Sequence, residues 1–341
     1  MRAIHQRIEG VVYASDEAAA RYFASGAWVA STLGDLVRDA ARRHGDRPAF
    51  VSDERSVTFR ELDERTERIA AGLLRLGFRP GDRALFQLGT TVETAEALLA
   101  CFKAGIVPVC SVPQYREIEM GQLAALSGAV GHFIQVDFSA FDIVTFAKGL
   151  AQHHPALTHR ILVRGGSAGD GTLFEDLGRE IPLETARAEL ADVRIGCEDV
   201  LSFQLSGGTT GVPKIIPRFH AEYIGHARDC ARRFGYATDR GASIWNLPLI
   251  HNAGQLYVLV PCLVFGRTVH LQPRVDVPAF CAAIEKHRIT HAASIGPLAP
   301  QLIAYPDVKR HDFSSIEVFV TMTRADNLEQ LLGVPAVNLY G

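Results

Sequence analysis

The stretch QLSGGTTGVPKIIPR, residues 204–218, decides how this chain is read. Within it, Ser206-Gly207-Gly208-Thr209-Thr210-Gly211-Val212-Pro213-Lys214 follows the apolar run VLSFQL and precedes another apolar pair. Glycines permit positive φ and let backbone N–H groups converge on an anion. Serine and threonine hydroxyls add donors, and Lys214 adds a mobile positive charge. The composition suits a phosphate cradle. It is no Walker A loop, which needs the lysine directly after its last glycine and a helix behind it. Here Val212-Pro213 intervenes, and proline removes a donor. On composition alone a plain surface turn remains the other reading.

Working outward, Val57 to Arg83 (VTFRELDERTERIAAGLLRLGFRPGDR) carries a helix. Thr58 and Glu61 have capping-box spacing. Leu62, Ile69, Leu73 and Leu76 share one face. Gly77 and Pro80 stop it. ALFQL (84–88) reads as a buried strand. TVETAEALLACFKAG is a second helix ending at Gly105. IVPVCSV, AVGHFIQV and HRILVRG read as further strands. Beyond a polar stretch the alternation resumes with DVLSFQLSG, ASIWNLPLI, RTVHLQP, the helix VPAFCAAIEKHRI, THAASIG and SIEVFVTM. Strands alternating with helices of ten to fifteen residues predict α/β architecture with parallel sheets and right-handed crossovers. The chain has 341 residues, enough for two cores. The expected division is an N-terminal αβ subdomain over 1–195 and a second over 196–341.

Of the residues, 48% are hydrophobic and 21% charged, and the formal net charge is −3. Lysine and arginine are scattered, which argues against nucleic acid. The six cysteines show no Cys-x-x-Cys spacing and sit mostly in apolar runs, as in a reducing compartment. The N-terminus has no signal-peptide pattern, and LYVLVPCLVFG is about half a membrane span. The expectation is a cytoplasmic protein with no membrane partner.

The loop as a whole, Ser-Gly-Gly-Thr-Thr-Gly-x-Pro-Lys, resembles the signature of the adenylate-forming superfamily: acyl-CoA synthetases, nonribosomal peptide synthetase adenylation domains and luciferases. The helix at 57–83, LLACFKAGIVPV and the terminal NLYG resemble other motifs of that family. QLSGGTTGVPKIIPR, LPLIHNAGQLY and the N-terminal GAWVASTLGDLVRDAARRHGDRPAF are similar to stand-alone aryl-acid AMP ligases acting on 2,3-dihydroxybenzoate or salicylate. The likeness covers nearly the whole chain. It implies two doubly wound αβα subdomains. It also implies that a carboxylic acid attacks the α-phosphate of ATP, releasing pyrophosphate. A phosphopantetheine thiol, on an acyl or aryl carrier protein or on CoA, would then take the acyl group.

Carried over residue by residue, the resemblance assigns Ser206, Gly207, Gly208, Thr209, Thr210, Gly211 and Lys214 to the phosphates. Thr210 is assigned to Mg²⁺, and Tyr340 and Gly341 to the nucleotide. His251 and Lys214 take catalytic roles. Asn252 would bond a hydroxyl ortho to the substrate carboxylate. Tyr257, Thr321, Met322 and Thr323 would line the acid pocket. Three departures stand out. The family continues past Tyr340-Gly341 with Thr-Glu, a ribose-binding Asp, a hinge and a lid bearing a lysine. The chain as given therefore reads as the N-terminal part of such an enzyme, poorly active or inactive alone. Thr321-Met322-Thr323-Arg324 stands where the family has Gly-Gly-Ala. Tyr257 stands where relatives carry a small Ser or Cys, which argues for a different aryl or cyclic acid. The alternatives are an acyl-CoA synthetase for a non-aryl acid and a non-catalytic truncated binding module.

Other signals are set aside. Gly165-Gly166-Ser167-Ala168-Gly169 matches a hydrolase elbow, but glycines follow where a helix is required. His287 and His291 lack an acidic partner and flank the turn Ile289-Thr290. His153 and His154 precede Pro155 and read as solvated loop.

Overall fold

The computed structural model describes residues 4–207, 213–294, 298–322 and 324–338. Two seven-stranded sheets carry the fold. The first holds β3 (Arg83–Gln87), β4 (Val107–Val109), β5 (Gly131–Gln135), β6 (His159–Val163), β7 (Thr172–Leu173), β8 (Val200–Leu205) and β9 (Ile215–Phe219), in the order β7-β6-β5-β3-β4-β8-β9. The second holds β1 (Pro48–Val51), β2 (Ser56–Thr58), β10 (Ala242–Trp245), β11 (Thr268–Leu271), β12 (His291–Ser294), β13 (Val318–Thr321) and β14 (Ala336–Asn338), in the order β14-β13-β12-β10-β11-β1-β2. All pairings are parallel except the edge hairpins β1–β2 and β8–β9.

The sheets interleave along the chain. β1 pairs with β11 in the second sheet, Phe50 opposite Val269, and β2 pairs with β1 at the edge. Residues 200–219 complete the first sheet, with Val109 of β4 opposite Phe203 of β8. Sheet membership therefore does not change at a single cut near 195. Local periodicity marks a strand but not the sheet it joins, because that choice is made by long-range pairing.

Both sheets are covered on both faces, as in doubly wound folds. On β3, Ala84 and Phe86 face inward and Leu85 outward, the two-residue alternation of a strand. The inner core joins Phe86, Phe133 and Ile161 of the first sheet to Phe50, Trp245 and Val269 of the second. Between them lie α2 (Leu33–His44), α3 (Phe59–Arg75), α4 (Val92–Ala104) and α8 (His220–Arg233). Outside the first sheet pack α5 (Glu117–Ser127) and α6 (Ile143–His153). Outside the second pack residues 277–287, 298–304 and 325–332. Two short helices, α1 (Asp16–Ala24) and α7 (Leu183–Ala191), complete the numbering used below.

The helix signals at 57–105 resolve as expected. Thr58 Oγ1 accepts the Glu61 N–H at 3.2 Å, and Glu61 Oε2 accepts the Thr58 N–H at 2.8 Å. Gly105 ends α4 in the left-handed region, φ +72°. Every residue of α4 is buried, including Glu93, Glu96 and Lys103, so α4 is the central helix of the molecule. His153 is the last residue of α6 rather than loop. No helix follows Ser167, which removes the hydrolase elbow. Among the described residues no helix is long and apolar enough to cross a membrane.

Two buried histidines give the core a pH signature. The His220 Nδ1 accepts the Leu33 N–H at 3.0 Å. His132 Nε2 lies 3.0 Å from Gln87 Oε1. Burial pulls both rings down to about 3. Because these values lie below the unfolded value of about 6.5, the unfolded chain binds the extra protons. Their contribution is complete above about pH 6.5 and is lost as pH falls toward 3. The expected slope is up to about 1.4 kcal/mol per pH unit for each ring. Urea unfolding between pH 7 and 5 measures it. His220→Gln, whose amide oxygen can accept the same N–H, should flatten the slope. An unaltered slope would remove His220 from the effect.

Candidate active site

The loop at 206–214 joins β8 to β9 and closes a hairpin at the edge of the first sheet. Its two ends are tied to one another. The Ser206 N–H donates to the Lys214 carbonyl, and the Lys214 N–H to Ser206 Oγ, both at 3.0 Å. Lys214 itself is exposed. Gly208, Thr209, Thr210 and Gly211 lie outside the described residues, as do Thr323, Tyr340 and Gly341. Among the described residues no cluster of three His, Cys, Asp or Glu could hold a metal.

The second part of the site hangs from the carboxyl end of β10. Two amides fasten it to the loop's strand. Gln204, two residues before Ser206, and Gln255 both donate to the Ile250 carbonyl, at 3.4 and 3.0 Å. Both also reach Cys110 Sγ at 3.4 Å, whose thiol burial pushes up to about 12. The link brings the loop's first residues and His251-Asn252 to one place, at the carboxyl ends of strands from both sheets. Ligands of open α/β sheets gather there.

His251 caps the following helix: its Nδ1 accepts the Ala253 N–H at 3.2 Å. Accepting at Nδ1 leaves Nε2 to carry the proton of the neutral ring. Residues 252–265 then form one helix with a π turn over Gln255–Leu259, where the Val260 N–H bonds the Gln255 carbonyl. An i→i+5 turn is wider than an α turn and turns residues five apart toward a common face. Asn252 and Tyr257 are five apart. Such insertions recur at functional sites.

Asn252 has a fixed partner. The Tyr223 hydroxyl, fully buried on α8, donates to Asn252 Oδ1 at 2.9 Å and also reaches its backbone carbonyl at 3.2 Å. Burial raises the Tyr223 pKa well above the usual tyrosine value, so the hydroxyl keeps its proton. The Arg218 guanidinium lies over the Tyr223 ring, 4.8 Å from its centroid. With Oδ1 engaged, the Asn252 NH₂ group is left for a ligand. The Tyr257 hydroxyl is engaged with Cys230 on α8, and burial raises it to about 12. Its ring packs edge-on to Phe234 at 5.7 Å. Thr321 is buried at the end of β13, and Met322 is 44% exposed beside it.

Sequence reasoning missed Tyr223 and Asn246. The first sits in an α8 segment with no strong periodic signal. The second follows β10 directly, and both of its amide atoms are buried without a partner among the described residues. A larger cavity, about 430 Å³, lies at the ends of β3, β5, β6 and β11, between Thr90, Glu93, Arg164 and Arg274. No residue singled out in the sequence lines it. Its Arg164 is paired to Glu54, Asp137 and Glu93.

A family described as AMP-binding enzyme matches residues 37–341. A 2,3-dihydroxybenzoate-AMP ligase of Bacillus subtilis is 32% identical over 309 residues, covering 89% of this chain and 54% of that protein. A salicyl-AMP ligase / salicyl-S-ArCP synthetase of Mycobacterium tuberculosis is 35% identical over 291 residues, covering 82% and 49%. The chain spans about half the length of the curated relatives it matches. The apo structure of Mycobacterium smegmatis MbtA superposes with a TM-score of 0.84 at 28% identity, over 95% of this chain and 60% of that one. Signature loop, two-sheet frame and relatives coincide, and the chain belongs to the AMP-binding, adenylate-forming ligases.

Proposed function

We propose that the protein containing this chain adenylates an aryl carboxylic acid with ATP and passes the acyl group to a phosphopantetheine thiol on a carrier protein or on CoA. The observation that carries this is the Gln204–Ile250–Gln255 link, which holds the base of the glycine-rich loop beside His251-Asn252. Phosphate and acid are thereby brought to one point. Positioning of reactants and stabilisation of developing charge are the main levers in phosphoryl chemistry.

In this reading ATP would supply the electrophilic α-phosphorus, and Mg²⁺, when bound, would neutralise phosphate charge. Ser206, Gly207 and Lys214, with Gly208, Thr209, Thr210 and Gly211, hold the β- and γ-phosphates. Thr210 is the proposed metal-side hydroxyl, and Tyr340 and Gly341 are the proposed nucleotide contacts. The engaged Nδ1 of His251 leaves an Nε2–H able to face the acid carboxylate and α-phosphate. The Asn252 NH₂ donates to the substrate's ortho oxygen, while Tyr257, Thr321, Met322 and Thr323 line the pocket. The reaction is one of the cytoplasm, where ATP is available.

ATP–pyrophosphate exchange on the native-length protein tests the reading, with benzoate, salicylate, 2,3-dihydroxybenzoate, an aminobenzoate and a fatty acid. Exchange with an aryl acid supports it. Exchange with the fatty acid alone moves it to a non-aryl acyl-CoA synthetase, and none with any acid overturns it. Asn252→Ala should lower kcat/KM for salicylate about tenfold more than for benzoate. Tyr223→Phe should narrow the salicylate-to-benzoate ratio in the same direction. Equal losses for both acids would take Asn252 out of recognition.

A further inference from the structure

A small chamber of about 20 Å³ lies between the inner face of the second sheet and the π turn. Its walls include Tyr236, Trp245, Tyr257, Val258, Ala293 and Val320. Most of this lining is apolar. The polar side chains at its wall include Trp245, Tyr236, Ser243 and His291. Among the described residues Trp245 Nε1 and the Tyr236 hydroxyl are buried with no hydrogen-bond partner, as is His291 Nε2. Trp245 and Tyr236 are 2% and 3% exposed. A buried donor left unpaired costs about 1–3 kcal/mol, so native proteins rarely leave two beside one cavity.

Tyr236 is held rigidly. Its ring meets the His291 ring edge-on at 5.3 Å and lies under the Arg267 guanidinium at 5.8 Å. Arg267 in turn donates to His291 Nδ1 at 2.9 Å. Burial raises the Tyr236 pKa well above the usual tyrosine value, so its hydroxyl keeps its proton. Indole N–H is a donor only, and a protonated phenol can donate. The chamber therefore offers donors and asks for an acceptor.

Its position links it to the acid. Tyr257 is one wall of the chamber and follows Asn252 by five residues through the π turn. Its hydroxyl is turned aside to Cys230, so what Tyr257 presents to the chamber is the aromatic ring of a half-buried residue. The space is that of about one water molecule, or of one acceptor group on a substrate.

Resting on the adenylation reading above, we propose that the chamber behind Tyr257 is the distal end of the acid pocket. The acid then carries a hydrogen-bond acceptor at the end remote from its carboxylate, received by Trp245 Nε1 and the Tyr236 hydroxyl. The substrate class is an extended aryl acid with a distal ring nitrogen or carbonyl oxygen, rather than an unextended hydroxybenzoate. Tyr257 is its specificity-determining residue, since its ring sets how far the acid reaches.

The test is ATP–pyrophosphate exchange on the native-length protein with two matched pairs: quinoline-6-carboxylate against 2-naphthoate, and 4-acetylbenzoate against 4-isopropylbenzoate. Benzoate and salicylate serve as unextended acids. In at least one pair the acceptor-bearing acid should exceed its carbon counterpart about tenfold in kcat/KM, the worth of one hydrogen bond. Trp245→Phe should bring that ratio close to one. Tyr236→Phe, which removes a single oxygen, should reduce it. Exchange with benzoate or salicylate but equal use of both members of each pair, or of neither, would make the chamber a water site only and overturn the proposal. A ratio that survives both substitutions would also overturn it. No exchange with any acid would instead overturn the adenylation reading, and this proposal with it.

Discussion

Lys214→Ala is expected to lower ATP–pyrophosphate exchange by about a hundred- to a thousandfold, the cost of removing one preorganised donor from a developing anion. The loop at 206–214 contains no other cation. Its base is fixed by the two 3.0 Å bonds between Ser206 and Lys214, so the side chain starts from a held backbone. Lys214 is exposed, and its removal breaks no internal contact of its side chain among those described. The unfolding midpoint should therefore stay within about 0.5 kcal/mol of the parent, as for ordinary surface changes. Lys214→Arg should recover only part of the rate, because a planar guanidinium does not reproduce a compact ammonium point charge. Exchange within twofold of the parent for Lys214→Ala would take this residue out of the phosphate site.

The sequence made the loop legible because its chemistry is local. Glycine, hydroxyl and lysine have to be contiguous to surround an anion, so the pattern survives in one dimension. The same holds for α3 and α4, whose caps lie within three residues of the helix ends they close. Strands β3 and β8 announced themselves as apolar runs. Residues 48–58 did not: the four-residue strand β1 takes its place from a partner at 268–271, more than two hundred residues away, and the three-residue β2 follows as its hairpin mate. No local pattern encodes which sheet receives them.

The site divides in the same way. His251-Asn252 was visible as a polar pair between apolar runs. The Tyr223 that orients Asn252 lies 29 residues earlier in sequence and touches it only once α8 has packed on the 252–265 helix. The π turn was hidden too, since widening a helix by one residue leaves composition unchanged. It matters for Tyr257. The sequence suggested a side chain filling space beside Asn252, whereas the hydroxyl is drawn to Cys230 and the ring borders a chamber with its own unpaired donors. Asn246 carried no signal at all, because an unpartnered polar atom is a property of its surroundings.

The second large effect concerns stability. Lys103→Met is expected to destabilise the fold by about 3–5 kcal/mol, the cost of leaving a buried ion cluster without one member. Lys103 lies in the last turn of the central helix with its side chain fully buried. Its ammonium lies 2.5 Å from Asp63 Oδ1 and 2.9 Å from Glu67 Oε1, and it also donates to the Asp63 carbonyl at 3.0 Å. Arg38 reaches Glu67 from the partly exposed side at 2.8 Å. Burial pushes the Glu67 carboxyl up, but Lys103 and Arg38 together hold it below the usual carboxylate range. Methionine preserves the volume and removes the charge, leaving two carboxylates facing each other with only Arg38 and the more distant Arg187 at 3.7 Å. In that variant Glu67 loses the Lys103 charge that lowers it, so burial raises its carboxyl. The penalty is then full at neutral pH and shrinks as pH falls into the range where that carboxyl protonates. Urea unfolding of parent and variant at pH 7 and pH 5 should show the gap narrowing. Adding Glu67→Met should restore part of the loss, because an apolar pair can replace a buried ion pair that a single deletion cannot. A gap under about 1 kcal/mol at pH 7 would mean that water already reaches the cluster, and that α3 and α4 are held by their apolar faces alone.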